Sequence, residues 1–208
     1  METNFHIKYF ESISFGLNSI KYKIYNKIVD SSILFTKIKN ELKKLKKNGG
    51  RVYFLGNGAS SAFANHMALD FMKNGKIISR SLSDSSLLTA LSNDYSYEQA
   101  MVEFLKIENL NENDFVITIS SSGNSPNIVS VLNYCKLNKI SNLALSGLNE
   151  NNKSNLNSYY SIYVPMKTYG MVECIHQILL HLILDDFMEI TEWNRDNFQN
   201  MNSNSFTL

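Results

Sequence analysis

Two regimes of apolar spacing divide the chain. From about residue 5 to 47, apolar positions recur at helical spacing (Ile20, Ile24, Ile28, then Ile33, Leu34, Ile38, Leu42, Leu45) without a proline. This predicts a helical front end of two helices. Its close, ELKKLKKNGG, sets cations in a last helical turn, where they complement the helix dipole, and Gly49 and Gly50 provide the stop. After Gly50 short apolar runs alternate with helical segments. RVYFL (51–55), KIIS, DFVITIS (114–120), SNLALS (141–146) and YYSIYV (159–164) read as strands, and a last long helix runs from about Met171 to Glu192. Strand and helix in alternation predict an α/β fold, a parallel sheet covered on both faces. Such sheets bind ligands beyond the carboxyl ends of their strands, so the loops after Leu55, Ile119 and Leu145 are where chemistry is expected. Residues 149–158 read as a polar loop. The expected organisation is a helical N-terminal region serving oligomerisation (1–49), an α/β domain (50–192) and a ragged tail (193–208).

Composition narrows the class without naming a function. The 208 residues suffice for one domain with a helical extension. With 20 Lys+Arg against 19 Asp+Glu, no excess of positive charge exists for a nucleic acid backbone. No basic, then apolar leader opens the chain, and the longest greasy run, ILLHLIL (178–184), is far short of a bilayer span. A cytoplasmic protein with no membrane partner is expected. Cys135 and Cys174 have no CxxC spacing and sit in apolar patterns, so both are expected as buried thiols.

Two loops carry candidate chemistry. The first strand runs through Gly56-Asn57-Gly58-Ala59-Ser60-Ser61 into a helix, a turn of small residues that can present backbone amides to an anion. The second, Ser120-Ser121-Ser122-Gly123-Asn124-Ser125-Pro126, follows the strongest strand. Pro126 suits a first helical position and Ser125 its cap, which sets Ser120, Ser121 and Ser122 beside free helix amides. Hydroxyls and amides without a P-loop lysine describe a pocket for one phosphate ester on a small molecule. On the helix after the first loop, His66 and Asp70 are four apart and share a face, a spacing that can hold a metal or a substrate.

With these motifs in view, GNGASSAFANH, SSLLTALSNDYSYE, ISSSGNSPN and the late IHQILLH, the chain resembles the SIS (sugar isomerase) domain family. More narrowly it is similar to the bacterial phosphoheptose isomerases, from about Gly50 to Asp186. The resemblance implies a flavodoxin-like fold and a homotetramer with active sites at subunit interfaces. It implies substrate binding by Asn57, Gly58, Ala59, Asn93, Asp94, Ser120, Ser121, Ser122, Ser125 and Glu173. His66, Asp70, Glu173 and His181 become the implied ligands of a divalent metal, zinc being the first choice, with Asp70 and His181 catalytic. The implied reaction converts sedoheptulose 7-phosphate, a phosphorylated sugar, to D-glycero-D-manno-heptose 7-phosphate through an enediol.

Several positions depart from the family pattern. Ala59 replaces the second glycine of an Asn-Gly-Gly loop, and alanine is disfavoured if that position needs a positive φ. Asp70 stands for a glutamate and Glu173 for a glutamine, while Tyr169-Gly170-Met171-Val172 replaces a polar stretch. His176 points to another side of its helix than His181 and is expected to be packed or hydrogen-bonded. Glu173 and His181 are eight residues apart, about 12 Å along a helix. One straight helix therefore does not bring both to one ion, and the expectation is that they serve one site from different subunits. The departures leave two alternatives: a SIS protein that binds a phosphosugar or a protein partner without turnover, and an isomerase for a different phosphosugar.

Overall fold

The computed structural model describes residues 4–191. In chain order the elements are α1 (Phe5–Asn18), β1 (Lys21–Ile24), β2 (Lys27–Val29), α2 (Ser31–Lys47), β3 (Val52–Gly56), α3 (Ala59–Lys73), β4 (Ser79–Ser81) and α4 (Ser85–Asp94). They continue as α5 (Tyr97–Ile107), β5 (Phe115–Ser120), α6 (Pro126–Leu137), β6 (Ser141–Ser146), α7 (Lys153–Asn157), β7 (Tyr160–Tyr163) and α8 (Tyr169–Met188).

Seven strands form one sheet in the order β2-β1-β7-β6-β5-β3-β4. The five strands from β7 to β4 are parallel, in the doubly wound order of flavodoxin-like folds. Strands β3, β5 and β6 are almost wholly buried, as near-continuous apolar runs demand when helices cover both faces. One core joins α2, α3 and α8 to the sheet through residues such as Leu42, Phe71 and Leu180. The other joins α4, α5 and α6 through Leu91, Leu105 and Leu132.

The front end corrects the sequence reading. Two helices are there, yet between them β1 and β2 form a hairpin, and β1 pairs antiparallel with β7. A spacing of four at Ile20, Ile24 and Ile28 fits a helical turn and also two periods of a strand. Tyr22 and Ile24 alternate toward the first core. The turn residues Tyr25 and Asn26 both take left-handed conformations (φ 49° and 61°), the type I′ geometry usually signalled by Asn-Gly. Its absence hides the hairpin.

The KIIS strand begins later, at Ser79. Within the segment read as a polar loop lies α7, whose cap Asn152 accepts a bond from the Asn155 amide. Cys135 is buried as expected, and burial pushes its thiol up to about 12, whereas Cys174 is exposed. The helix pattern around Cys174 is apolar because α8 is apolar on more faces than the core covers. No described helix is long and apolar enough to cross a membrane. The tail expected at 193–208 lies outside the described residues.

Candidate active site

The parallel order reverses between β3 and β5, so the loops leaving these strands diverge and open a crevice. Both loops singled out in the sequence leave the sheet here. After β3, Gly58 takes φ 55°, which only glycine adopts freely, and α3 starts at the next residue. The positive φ thus falls on Gly58, and Ala59 is an ordinary first helical residue. Asn57 forms a reciprocal amide pair with Asn127 of α6 (2.9 and 2.8 Å), and the Tyr97 hydroxyl donates to the Asn57 Oδ1 (2.9 Å). The two sides of the crevice are thereby joined by polar bonds anchored on the buried Asn127 (2% exposed).

After β5, Gly123 (φ 63°) turns the chain. The Gly123 amide donates to the Ser120 Oγ (3.2 Å) and the Asn124 amide to the Ser122 Oγ (3.2 Å). Pro126 is the first residue of α6 as the sequence suggests. Ser125 holds the cap position, but its hydroxyl makes no capping bond and stands 3.4 Å from the Ser120 Oγ. The Ser121 Oγ is buried without a partner. An orphaned hydroxyl costs free energy unless a ligand or water completes it. A second layer fixes the loop: Ser154 and Lys153 donate backbone amides to Gly123 O and Asn124 Oδ1. A Cβ at Gly123 would run into Asn152 Oδ1.

The second group is built by side chains on two packed helices. His66 Nε2 stands 3.1 Å from Asp70 Oδ2 one turn apart on α3. The His66 and His181 rings are 5.3 Å apart. One ligand-capable atom from each of His66, Asp70 and His181 lies within 4.8 Å of the others. Two imidazoles and a carboxylate form a donor set suited to zinc and to other divalent ions. The residues therefore fit a metal. Glu173 is not in the group; it lines a groove of about 1060 Å³ beside Phe63, Cys174, Gln177, His181 and Leu182. Asn93 and Asp94, at the end of α4, are exposed, with Asn93 donating to Asp94 (3.0 Å).

His176 is fully buried, its Nε2 3.3 Å from the Ser146 carbonyl at the end of β6, and burial drives its pKa down to about 4. It ties α8 to the carboxyl end of the central strand β6. Three polar residues escaped the sequence reading: Asn127, Tyr97 and Gln177. An asparagine just inside a helix start is a usable signal for the first. Nothing local marks the other two, because their partners lie in other elements or were read only as part of an apolar helix.

Sheet order and crevice place the chain among the doubly wound α/β proteins with a ligand site at the switch point. Residues 36–147 match the SIS domain family model. The chain is 34% identical over 169 residues to phosphoheptose isomerase 2 of Campylobacter jejuni, covering 77% of this chain and 83% of that protein. It is also 34% identical over 143 residues to the phosphoheptose isomerase of Aneurinibacillus thermoaerophilus (66% and 71% covered). The solved phosphoheptose isomerase of Francisella tularensis shares the fold with a TM-score of 0.74 at 21% identity, covering 91% of this chain and 99% of that one. The chain belongs to the phosphoheptose isomerase family of SIS-domain proteins.

Proposed function

We infer that the protein is a phosphosugar aldose–ketose isomerase that converts sedoheptulose 7-phosphate to D-glycero-D-manno-heptose 7-phosphate in the cytoplasm. The observation that carries this reading is the convergence of His66, Asp70 and His181 from two helices, in a chain that retains the serine loop. Ser120, Ser121, Ser122 and Ser125 hold the substrate phosphate with hydroxyls and loop amides, and the Ser121 hydroxyl has no other partner. Asn57, Gly58 and Ala59 line the crevice, and Asn93 and Asp94 meet the sugar. Phosphate binding at a distance from the reacting carbons supplies the energy that orients them.

Asp70 takes the proton from the carbon beside the carbonyl, leaving an enediol, and returns it to the neighbouring carbon. His181 carries the hydroxyl proton between the two oxygens. Atoms and electrons balance within the sugar. His66, Asp70 and His181 would hold a divalent ion, zinc being the first choice, which when bound polarises the adjacent sugar oxygens. Asp70 is shorter by one methylene than the family's glutamate, so the reacting carbon must sit closer to α3.

The working assembly is a homotetramer whose clefts are completed by a second copy. Ile178 (42% exposed) and Leu182 (40%) form an uncovered apolar row on α8 beside the groove. Glu173 lies outside the metal group of its own chain and faces this groove, placed to meet substrate in the completed cleft. Mixing Glu173→Ala chains with His181→Ala chains should restore part of the activity if sites are shared.

The decisive experiment incubates the purified protein with sedoheptulose 7-phosphate, with and without zinc, and follows aldose formation by NMR. Turnover is expected. Saturable phosphosugar binding with no turnover in either condition would overturn the enzyme reading and support a binding protein.

A further inference from the structure

At the other end of the sheet from the catalytic crevice, where β6 and β7 begin, lies a second cleft of about 610 Å³, within the size range of small-molecule sites. The turn of the β1–β2 hairpin lends it Tyr25 and Asn26, and the end of α6 lends it Lys136 and, just past the helix, Lys139. The Tyr25 and Tyr159 rings both line it, 4.1 Å apart and edge to face. Ser158 lines it too, is 6% exposed, and its hydroxyl is buried without a partner. Among the described residues that line the cleft none is acidic. Tyr25 and Lys139 hold left-handed conformations (φ 49° and 57°), where glycine or asparagine is favoured. Cations at a helix end suit its dipole by themselves, but that does not account for a tyrosine kept in a left-handed turn.

We propose that this cleft is a second ligand site, one that takes a nucleoside diphosphate, and that its occupancy alters phosphosugar binding at the serine loop through α7. Tyr25 is 67% exposed, and a tyrosine face stacks on a nucleobase with little regard to which base it is. Lys136 and Lys139, both exposed and with no carboxylate beside them in the cleft, suit a pyrophosphate as point charges. A neutral nucleoside would leave those cations unused. The Ser158 hydroxyl is there for a polar group of the ligand. The path to the serine loop is short. Leu156 and Asn157, at the end of α7, line the cleft, and the hairpin grips them through Asn26 Nδ2, which donates to the Leu156 carbonyl (3.0 Å). At the start of the same five-residue helix, the Ser154 and Lys153 amides donate to Gly123 O (2.9 Å) and Asn124 Oδ1 (3.0 Å) of the serine loop. A shift imposed at one end of so short a helix is felt at the other. The coupling rests on the phosphosugar reading above, whereas the site itself does not.

Isothermal titration of the full-length protein with ADP, GDP and UDP tests the site, with adenosine and inorganic phosphate as controls. One nucleotide per chain is expected, with Kd below about 1 mM and each control at least about ten-fold weaker. Tyr25→Asn and Lys139→Asn both install a residue that accepts the left-handed backbone, so thermal unfolding should show the fold retained while nucleotide affinity falls about ten-fold or more. Absence of saturable binding for all three nucleotides, or unchanged affinity in either variant, would overturn the site. Titration of sedoheptulose 7-phosphate with and without nucleotide tests the coupling, where a change in Kd of about five-fold or more, levelling off as nucleotide rises, is expected. An unshifted Kd would overturn the coupling, and a shift that grows without limit would mean competition at the serine loop and overturn the site. If sedoheptulose 7-phosphate is not bound in either condition, the isomerase reading and the coupling fail together, and the nucleotide titration still decides the site.

Discussion

The serine loop and the histidine group differ in what holds them. The loop leaves the buried end of β5, its hydroxyls and amides bond to one another, and the segment 152–154 braces it from behind. The histidine group is held by side chains instead, with Gln177 against the His181 ring. His66 keeps 47% of its side chain exposed against 17% for Asp70, and the group depends on α3 and α8 packing side by side. Binding a remote phosphate needs a rigid concavity that can be built by backbone. Moving protons needs side chains on separate elements, brought close and left accessible. The first is stable by local construction, and the second is only as good as the helix pair beneath it.

The largest effect is expected where the two regions separate kinetically. His181→Ala should lower kcat by about 100- to 10,000-fold, the usual worth of a proton-transferring group, with KM for the phosphosugar changed little; steady-state kinetics give both. A loss confined to KM would erase the division of labour.

His176 sharpens the comparison, because it fastens α8, which carries His181, to the Ser146 carbonyl near the loop. Its pKa is about 4 in the fold against an ordinary 6.5, so the unfolded chain takes up the proton first. The stability this neutral ring contributes is complete above about pH 6.5 and is lost as pH falls toward 4. The loss is about 3 kcal/mol at pH 4 by linkage. Denaturant unfolding from pH 7 to 4 should show this slope, and His176→Gln should flatten it.

In the loop, Gly123→Ala should cost about 2–3 kcal/mol, because it adds a Cβ at positive φ against Asn152. Thermal unfolding and a raised KM report it. An unchanged KM would mean the loop does not hold substrate. The smallest effect belongs to the crevice floor: Asn57→Ala strips the buried Asn127 of its amide partner and should cost about 1–2 kcal/mol, read in the urea midpoint.

These regions were unequally legible. Strands β3, β5 and β6 announce themselves as apolar runs because both sheet faces are covered. The loop chemistry reads directly too, since Ser120 to Pro126 is contiguous and its turn needs Gly123. The hairpin at Lys21–Val29 was not legible, because a spacing of four serves helix and strand alike and the turn pairs tyrosine with asparagine. Exposed Cys174 misled for a related reason: an apolar helix does not say which of its faces the core takes.

Sequence by itself determined the α/β alternation, the hydroxyl-rich loop and the i, i+4 pair of His66 and Asp70, all features whose partners are near neighbours along the chain. Tertiary structure alone decided that His181 joins that pair within one chain while Glu173 of the same chain lies apart from it, that Asn57 meets Asn127, and that Gln177 stands against the His181 imidazole. Helical rise sets which residues of one element share a site, but only the packing of α3 against α8, driven by the core they jointly bury, sets where two elements meet.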